Sequence, residues 1–173
     1  PLMENRHEEG VLIATIAPAP KLESALEAQA YDFMSRVLTK MDYVGVLTME
    51  CFETDKGIVV NELAPRVHNS GHWTIEGSAT SQFENHCRAI ADMPLGETGV
   101  KKMMGLVNML GKYGNSEDFA GAHYFYHDYG KSERARRKLG HVTMCASSLE
   151  ELYAALNKTL LALYGDQYLP YDA

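Results

Sequence analysis

Hydrophobic and polar positions follow two different periods along this chain, and each period predicts one type of secondary structure. Short apolar runs bounded by turn residues predict strands, which span residues 10–18, 43–52, 57–64, 101–111, 121–130 and 138–146. Apolar residues spaced three or four apart predict helices, which span residues 21–41, 81–94 and 147–165. This mixture of strands and helices predicts an α/β (α+β) fold.

The predicted helices carry recognisable start and stop signals. Ser81 with Glu84, and Ser148 with Glu151, have the spacing of a capping box, and Gly165 ends the last helix. The last helix presents a stripe of leucines, Leu149, Leu152, Leu156, Leu160 and Leu163. The first helix presents a mixed apolar stripe, Leu22, Leu26, Phe33, Val37 and Met41. Both stripes predict helix faces that pack against a core.

Composition excludes several classes of protein. The net charge of −7 argues against nonspecific nucleic-acid binding, which needs a basic face. No apolar stretch approaches the ~20 residues that cross a bilayer, so we expect no membrane association. The three cysteines, Cys51, Cys87 and Cys145, are odd in number and not in metal spacing, which predicts reduced thiols in a cytoplasmic protein. The chain begins at Pro1 without an initiator methionine, from which we expect a fragment or a processed product.

Two glutamates interrupt the apolar strands on either side of one turn. If the hairpin is centred on Lys56, Glu50 and Glu62 lie opposite one another, with Cβ atoms about 5 Å apart. Regular alternation would also place Glu62 on the same face as Ile58 and Val60. Two like charges there repel unless one carboxyl is protonated or a divalent cation lies between them, and magnesium fits such a site best. The alternative is a different register, in which each glutamate is separately solvated.

The loop after Glu62 concentrates polar side chains. Arg66 could bind a phosphate or carboxylate through its guanidinium group, and we expect the turn at residues 69–71 to present backbone N–H groups to an anion. His68 and His72 are four residues apart, as zinc ligands on a helix are, but the Asn-Ser-Gly sequence between them favours a loop. The alternative is an ordinary polar connection, which leaves the paired glutamates unexplained.

The segment at residues 129–141 is strongly basic in an otherwise acidic chain. Its basic residues, with Glu133 as the one acidic residue among them, are Lys131, Arg134, Arg136, Arg137 and Lys138. A compact basic run between two strands suits the phosphate of a small ligand. A solvated loop is the alternative. An RNA-binding patch is less favoured, because no aromatic stacking pattern accompanies the charges.

These motifs together resemble one enzyme family. The segments MECF, NELAPRVHNSGHWT and TSQFENHCRAI closely resemble the ATP-grasp 5-(carboxyamino)imidazole ribonucleotide synthases of purine biosynthesis. ENRHEEGVL is similar to the family's strand entry, and YGKSERARRKLGH to its carboxy-terminal basic signature. The resemblance implies the second half of an ATP-grasp domain at residues 1–97. It implies a small β-rich carboxy-terminal domain, closed by a helix, at residues 98–173.

The resemblance also implies a reaction and a set of site residues. ATP phosphorylates bicarbonate to carboxyphosphate, which carboxylates the amine of 5-aminoimidazole ribonucleotide, with magnesium (or manganese) ions at the ATP phosphates. The implied metal ligands are Glu50 and Glu62, and the implied nucleotide contacts are His7, Asn61 and Glu62. The residues implied at the transferring group are Arg66, His68 and Asn69. Those implied at the phosphate of the ribonucleotide substrate are Lys131, Arg134, Arg137 and Lys138.

At two positions, Asn61 and Arg136, the role implied by the resemblance does not follow directly. On a regular strand Asn61 would face away from Glu62, so its role requires a local distortion or a backbone contact. The family often has a glycine where this chain has Arg136, which leaves open which arginine meets the phosphate.

Members of the family are considerably longer than this chain and are generally dimers. We therefore expect a carboxy-terminal portion that lacks the amino-terminal part of the enzyme, is inactive alone and forms a homodimer. Two alternatives stay open. One is a sibling ATP-grasp ligase such as the formate-dependent glycinamide ribonucleotide transformylase, and the other is a noncatalytic binding or assembly module.

Overall fold

The computed structural model describes residues 1–119, 123–168 and 170–172. In chain order its strands and helices are β1 (Glu4–Glu8), β2 (Val11–Ala17), α1 (Ser24–Met41), β3 (Thr48–Thr54), β4 (Gly57–Ala64), α2 (Thr74–Gly77), α3 (Gln82–Ile90), β5 (Met103–Leu110), β6 (Tyr124–Asp128), β7 (Lys138–Ala146) and α4 (Leu149–Tyr164). Short 3-10 turns occur at Asn69–Gly71, Ser116–Phe119 and Gly165–Gln167. Within this described part of the chain, no helix combines the length and the apolar character that a membrane span requires.

The chain divides into two compact units. The sheet unit comprises Met3–Pro20 together with Val100–Ala173, and the hairpin unit comprises Lys21–Gly99. This grouping joins the first two strands to the second half of the chain, because β1 pairs with β2 and β2 pairs with β5. The predicted domains at residues 1–97 and 98–173 stay a prediction.

The sheet unit is built on five antiparallel strands in the order β1-β2-β5-β7-β6. Strands β2, β5 and β7 are almost wholly buried along their length, as central strands covered by other elements are. Residues 121–122 of the predicted sixth strand lie outside the described residues, and β6 begins at Tyr124. The other predicted strands of this unit are confirmed.

Helix α4 supplies the other side of the core of the sheet unit. Four of the five leucines of the predicted stripe, Leu152, Leu156, Leu160 and Leu163, are buried, and Leu149 is half-buried. The side chain of Ser148 accepts the Glu151 N–H at 3.2 Å, as an N-cap residue does. Because burial of leucine side chains against the sheet is the main stabilising term, the leucine pattern accounts for the position of α4.

The hairpin unit contains the ribbon of β3 and β4 together with helices α1, α2 and α3. The predicted strand over residues 43–52 begins only at Thr48, and residues 43–47 before it do not form a strand. Gly45 has a φ of 123°, and the Val46 N–H donates to Nδ1 of His86 at 3.0 Å. The predicted stripe on α1 is only partly buried, since Met41 is exposed and Ala30 is the buried residue of this helix.

Candidate active site

The β3–β4 hairpin brings Glu50 and Glu62 directly opposite one another, as predicted. The turn itself is tighter than expected, because Thr54 pairs with Gly57. A β-bulge restores the predicted pairing of the glutamates: Cys51 pairs with Val60, so Asn61 has no partner on β3. The register at the glutamates is therefore correct, although it arises from a two-residue turn and one extra residue.

The bulge changes which side chains share a face with the glutamates. Phe52 pairs with Val59, and cross-strand partners lie on the same face of the ribbon. Glu62 therefore shares its face with Val59, and the expectation that it shares a face with Ile58 and Val60 was wrong. The bulge at Asn61 is also the kind of local distortion that a nucleotide contact by this residue would require. That contact stays a prediction.

His68 joins the two glutamates in a cluster of three potential metal ligands. Its Nε2 lies 3.6 Å from Oε1 of Glu50 and 4.0 Å from Oε1 of Glu62. One ligand atom from each of the three residues lies within 4.8 Å of the others. The side chains of Glu50 and His68 are only 14% and 10% exposed, whereas that of Glu62 is 53% exposed. The cluster therefore has a closed side and an open side.

The hydrogen bonds of His68 indicate where its proton lies. The Ser70 N–H is directed at Nδ1 at 3.3 Å, and Oγ of Ser70 is 2.9 Å from the same atom. Because a backbone N–H can only donate, Nδ1 accepts, and the neutral ring carries its proton on Nε2. That N–H faces the two carboxylates. The oxygens of Glu50 and Glu62 then form the donor set for an ion, and two carboxylate oxygens fit a hard divalent cation such as Mg²⁺.

The loop after β4 is folded inward. Ser70 is 1% and Trp73 2% exposed, so the alternative of an ordinary polar connection is not what the structure shows. The turn at Asn69–Gly71 uses its own amides, since the Gly71 N–H donates to the His68 carbonyl at 3.0 Å. The expectation that this turn presents its N–H groups to an anion was therefore wrong for Ser70 and Gly71.

The four-residue spacing of His68 and His72 does not produce a paired site. His68 lies with the glutamates, whereas Nδ1 of His72 lies 3.0 Å from Nε2 of Gln82. In the part of the chain that the structure describes, the one group of metal-ligating side chains contains His68 without His72. Gln82, the first residue of α3, was not predicted as a site residue, yet its amide contacts both histidines.

The other residues predicted at the transferring group and the nucleotide occupy varied environments. Arg66 is exposed, and its Nη1 donates to the Val67 carbonyl at 3.0 Å. Asn69 is half-buried at the start of its turn. His7 is exposed on β1, in the sheet unit. The roles of these residues stay predictions.

Cys51, next to Glu50, is one of three free thiols. Burial raises the pKa of its thiol, and the charge of Glu50 raises it further. Without a bound metal the thiol therefore remains protonated near neutral pH.

The basic segment (residues 131–138) is a structured loop in the sheet unit. The Arg137 N–H donates to the Arg134 carbonyl at 3.0 Å and closes a turn. Nη1 of Arg137 donates to Oγ of Ser132 at 3.1 Å, and Arg134 is exposed. The segment therefore contains a hydrogen-bonded turn, and its residues 131–136 are exposed, so the alternative of a solvated loop stays open.

Lys131 is held by two tyrosines. Its backbone N–H donates to the hydroxyl of Tyr113 at 2.9 Å, and its Nζ lies 4.9 Å from the centre of the Tyr129 ring. The hydroxyl of Tyr129 lies 2.7 Å from Nδ1 of the buried His141. Burial raises the pKa of Tyr129 to about 12, so this hydroxyl keeps its proton, and the tautomer of His141 sets whether it donates to the imidazole or accepts from it. Lys138 starts strand β7, and its carbonyl accepts from Nζ of Lys131 at 3.3 Å.

Arg136 of the basic segment forms an ion pair with Glu9. Its Nη1 lies 2.8 Å from Oε2 of Glu9, and its Nη2 donates to the Glu9 carbonyl at 2.7 Å. Its φ of 62° is in the left-handed region that glycine adopts most easily. This conformation gives a physical reason why a glycine would suit this position.

Comparison with known proteins finds two family models and a set of relatives that this chain is similar to. A family model described as the ATP-grasp domain matches residues 1–83, and one described as the phosphoribosylaminoimidazole carboxylase C-terminal domain matches residues 105–155. The N5-carboxyaminoimidazole ribonucleotide synthase of Pseudomonas aeruginosa is 44% identical over 157 residues, which are 90% of this chain and 43% of the relative.

Solved structures agree with these matches. N5-carboxyaminoimidazole ribonucleotide synthetase from Thermus thermophilus superposes with a TM-score of 0.92 at 42% identity, covering 99% of this chain and 47% of that one. N5-carboxyaminoimidazole synthase from Aspergillus clavatus, solved in complex with ADP and 5-aminoimidazole ribonucleotide, has a TM-score of 0.81 at 29% identity, covering 88% and 44%. The chain thus spans less than half the length of these relatives. The predicted fold class is confirmed, and over most of its length the chain is similar to part of the N5-carboxyaminoimidazole ribonucleotide synthases.

Proposed function

We propose that this chain provides the metal-binding carboxylates and the substrate phosphate site of an ATP-dependent ligase. The ligase carboxylates 5-aminoimidazole ribonucleotide with bicarbonate, through carboxyphosphate, to give 5-(carboxyamino)imidazole ribonucleotide in purine biosynthesis. The observation that carries this proposal is the pair Glu50 and Glu62, opposed across one hairpin beside His68. Relatives above 40% identity carry the name of this activity, which favours it over the glycinamide ribonucleotide alternative.

The carboxylates of Glu50 and Glu62 would hold Mg²⁺, or Mn²⁺, at the phosphates of ATP. A divalent cation there offsets the phosphate charge that repels an incoming bicarbonate oxygen. The open side of the cluster, where Glu62 is half exposed, leaves room for a polyanion. Nε2–H of His68 faces the same carboxylates and lowers their mutual repulsion until the cation binds.

Arg66, His68 and Asn69 are proposed at the transferring phosphoryl group and the carboxyphosphate. The guanidinium of Arg66 is exposed and carries donors beyond the one that meets the Val67 carbonyl. A fixed positive charge stabilises negative charge that develops in the transition state. Excluding water from this group matters because carboxyphosphate hydrolyses readily.

The basic segment is proposed to bind the phosphate of 5-aminoimidazole ribonucleotide. Arg136 is already paired with Glu9, so Lys131, Arg134, Arg137 and Lys138 remain for this role. Their backbone is held by the turn and by Tyr113, and preorganised donors bind a phosphate at lower entropic cost. Binding at this remote phosphate orients the amine for its reaction.

The whole enzyme contains more than these 173 residues in the relatives, so we expect this chain to be inactive when assayed alone. The homodimer and the cytoplasmic location expected from the sequence stay predictions. His7 and Asn61 stay proposed as nucleotide contacts.

A hybrid enzyme tests the proposed function. The part of the Thermus thermophilus relative that this chain does not cover is joined to residues 1–173, and ADP release is measured. Release that requires both bicarbonate and 5-aminoimidazole ribonucleotide supports the proposal. Release with formate and glycinamide ribonucleotide instead supports the sibling ligase. A folded hybrid that binds neither ribonucleotide supports a noncatalytic module.

Replacing Arg137 with alanine in this hybrid is expected to raise KM for 5-aminoimidazole ribonucleotide at least about tenfold, the cost of one charge-assisted contact to phosphate. Arg136→Ala is the matched control. It removes the same charge from the adjacent position, but its partner is Glu9, so KM should change less than about threefold. Equal effects of the two substitutions would contradict the assignment of the phosphate contact to Arg137.

A further inference from the structure

The side-chain amide of Gln82 reaches from the start of α3 to the loop that carries the site histidines. Its Oε1 accepts the backbone N–H of His68 at 3.0 Å, and its Nε2 donates to the His68 carbonyl at 2.7 Å. A backbone N–H can only donate and a carbonyl can only accept, so the orientation of the amide is determined by its partners. Gln82 thus binds one residue through both of its main-chain polar groups.

The second N–H of the same amide has a separate partner. Nε2 of Gln82 lies 3.0 Å from Nδ1 of His72. Because the amide nitrogen has no lone pair to offer, Nδ1 of His72 accepts, and the neutral His72 ring carries its proton on Nε2. Both donors of Gln82 are therefore used by the loop, one by each histidine.

Gly71, between the two histidines, makes room for this amide. A Cβ atom at residue 71 would lie 2.6 Å from Oε1 and 2.9 Å from Cδ of Gln82. Real Cβ atoms do not approach other atoms so closely, so any larger residue at position 71 must displace the amide. The glycine at position 71 of the motif is thus explained by the close approach of Gln82. The hydrogen bond of this amide to the His68 carbonyl is only partly buried.

We propose that Gln82 is a positioning residue, which holds His68 against the glutamate pair and keeps the proton of His72 on Nε2. The contact geometry stands by itself, and its relevance to turnover rests on the proposed function. Glutamine suits this role because it combines one acceptor with two donors on a planar group. A glutamate of the same size would direct an oxygen at the His68 carbonyl and would offer His72 no donor.

The position of the His72 proton tests the proposal directly. The 173-residue chain is labelled with ¹⁵N, and long-range ¹H–¹⁵N spectra of the imidazole rings are recorded at one fixed pH. The native chain should show His72 protonated on Nε2 only. In Gln82→Glu the proton should appear on Nδ1, where it can donate to the new carboxylate, and in Gln82→Met both forms should be populated.

Ser81→Ala is the matched control at the start of the same helix. Ser81 caps α3 by accepting the Glu84 N–H at 3.2 Å, so its loss weakens the helix but leaves the amide of Gln82 in place. The His72 signal should stay native. A change in Ser81→Ala equal to that in Gln82→Glu would overturn the proposal, because helix weakening alone would then explain the result.

Gly71→Ala provides a second route if Gln82→Glu does not fold. The added methyl group displaces the native amide, so His72 should lose its single protonated form. A native His72 signal in Gly71→Ala, or in a folded Gln82→Glu, would overturn the proposal.

Turnover is then compared in the hybrid enzyme, where Gln82→Glu should lower kcat at least about tenfold and Ser81→Ala less than about twofold. A changed His72 signal with an unchanged kcat would leave the contact correct but remove its role in the reaction. If the hybrid without any substitution is inactive, that result would instead count against the proposed function.

Discussion

Replacing Glu50 with glutamine is expected to weaken the binding of Mn²⁺ to this chain at least tenfold, which corresponds to about 1.4 kcal/mol. Glutamine keeps the size of the side chain and one acceptor oxygen but removes one of the two negative charges opposed at the hairpin. Divalent cations with hard oxygen ligands depend strongly on that charge. Titration of Mn²⁺ by electron paramagnetic resonance gives the dissociation constant directly.

Glu53→Gln is the control for this experiment. Glu53 is an exposed glutamate of the same strand and pairs with Ile58, away from Glu62. Its substitution removes the same charge from the chain and should leave the dissociation constant within about twofold, because exposed charges at a distance are screened by salt. Equal weakening in both variants would show that the total charge, and not the glutamate pair, attracts the ion.

The same Glu50 variant should have the opposite effect on stability without metal. Like charges directly opposite one another on two strands destabilise a hairpin, so their removal should raise the free energy of unfolding, by up to about 1 kcal/mol. A residue retained for function at the expense of stability has this signature. Loss of both metal affinity and stability would indicate instead that Glu50 supports the fold.

Replacing Gly140 with alanine is expected to lower the free energy of unfolding by about 3 kcal/mol. Gly140 lies on the buried strand β7, where it pairs with Asp128 on β6 and with Met109 on β5. A Cβ atom there would overlap the backbone carbonyl oxygen of His127. Because a backbone atom in a paired strand cannot move aside, the β6–β7 pairing must open. Urea denaturation followed by circular dichroism measures the loss.

Gly105→Ala is the matched comparison on the neighbouring strand β5. A Cβ atom at residue 105 would approach side-chain atoms of Leu152 and Leu156 at 3.0 Å. Side chains can shift slightly, so the expected cost is smaller, about 1 kcal/mol. The difference between the two variants isolates the backbone clash, and equal costs would contradict its assignment to the His127 carbonyl.

The position of the glutamate pair was predictable because local rules govern a hairpin. Alternation and the symmetry of the turn placed Glu50 opposite Glu62. The prediction missed that the turn has two residues and that a bulge at Asn61 compensates. A bulge inserts one extra residue into one strand of a pair. The pattern of hydrophobic residues along the chain does not show where this extra residue lies.

Residues that act through contacts distant in the chain were harder to find. Gln82 meets His68 fourteen positions earlier in the sequence, and no periodicity links the two. The ion pair of Arg136 with Glu9 joins positions 127 residues apart. The first two strands similarly join a sheet whose other strands lie in the second half of the chain.

For this protein, the sequence by itself determined most of the strands and helices, the caps of α3 and α4, the opposed glutamates and the family motif. These features depend on neighbours within one turn or one hairpin, where spacing along the chain sets distance in space. Only the tertiary structure decided which strands form the five-stranded sheet, which ring nitrogen of each site histidine accepts a hydrogen bond, and which arginine is tied to Glu9. Those outcomes follow from contacts between segments that are distant in the chain, and spacing along the sequence does not set the distances between such segments.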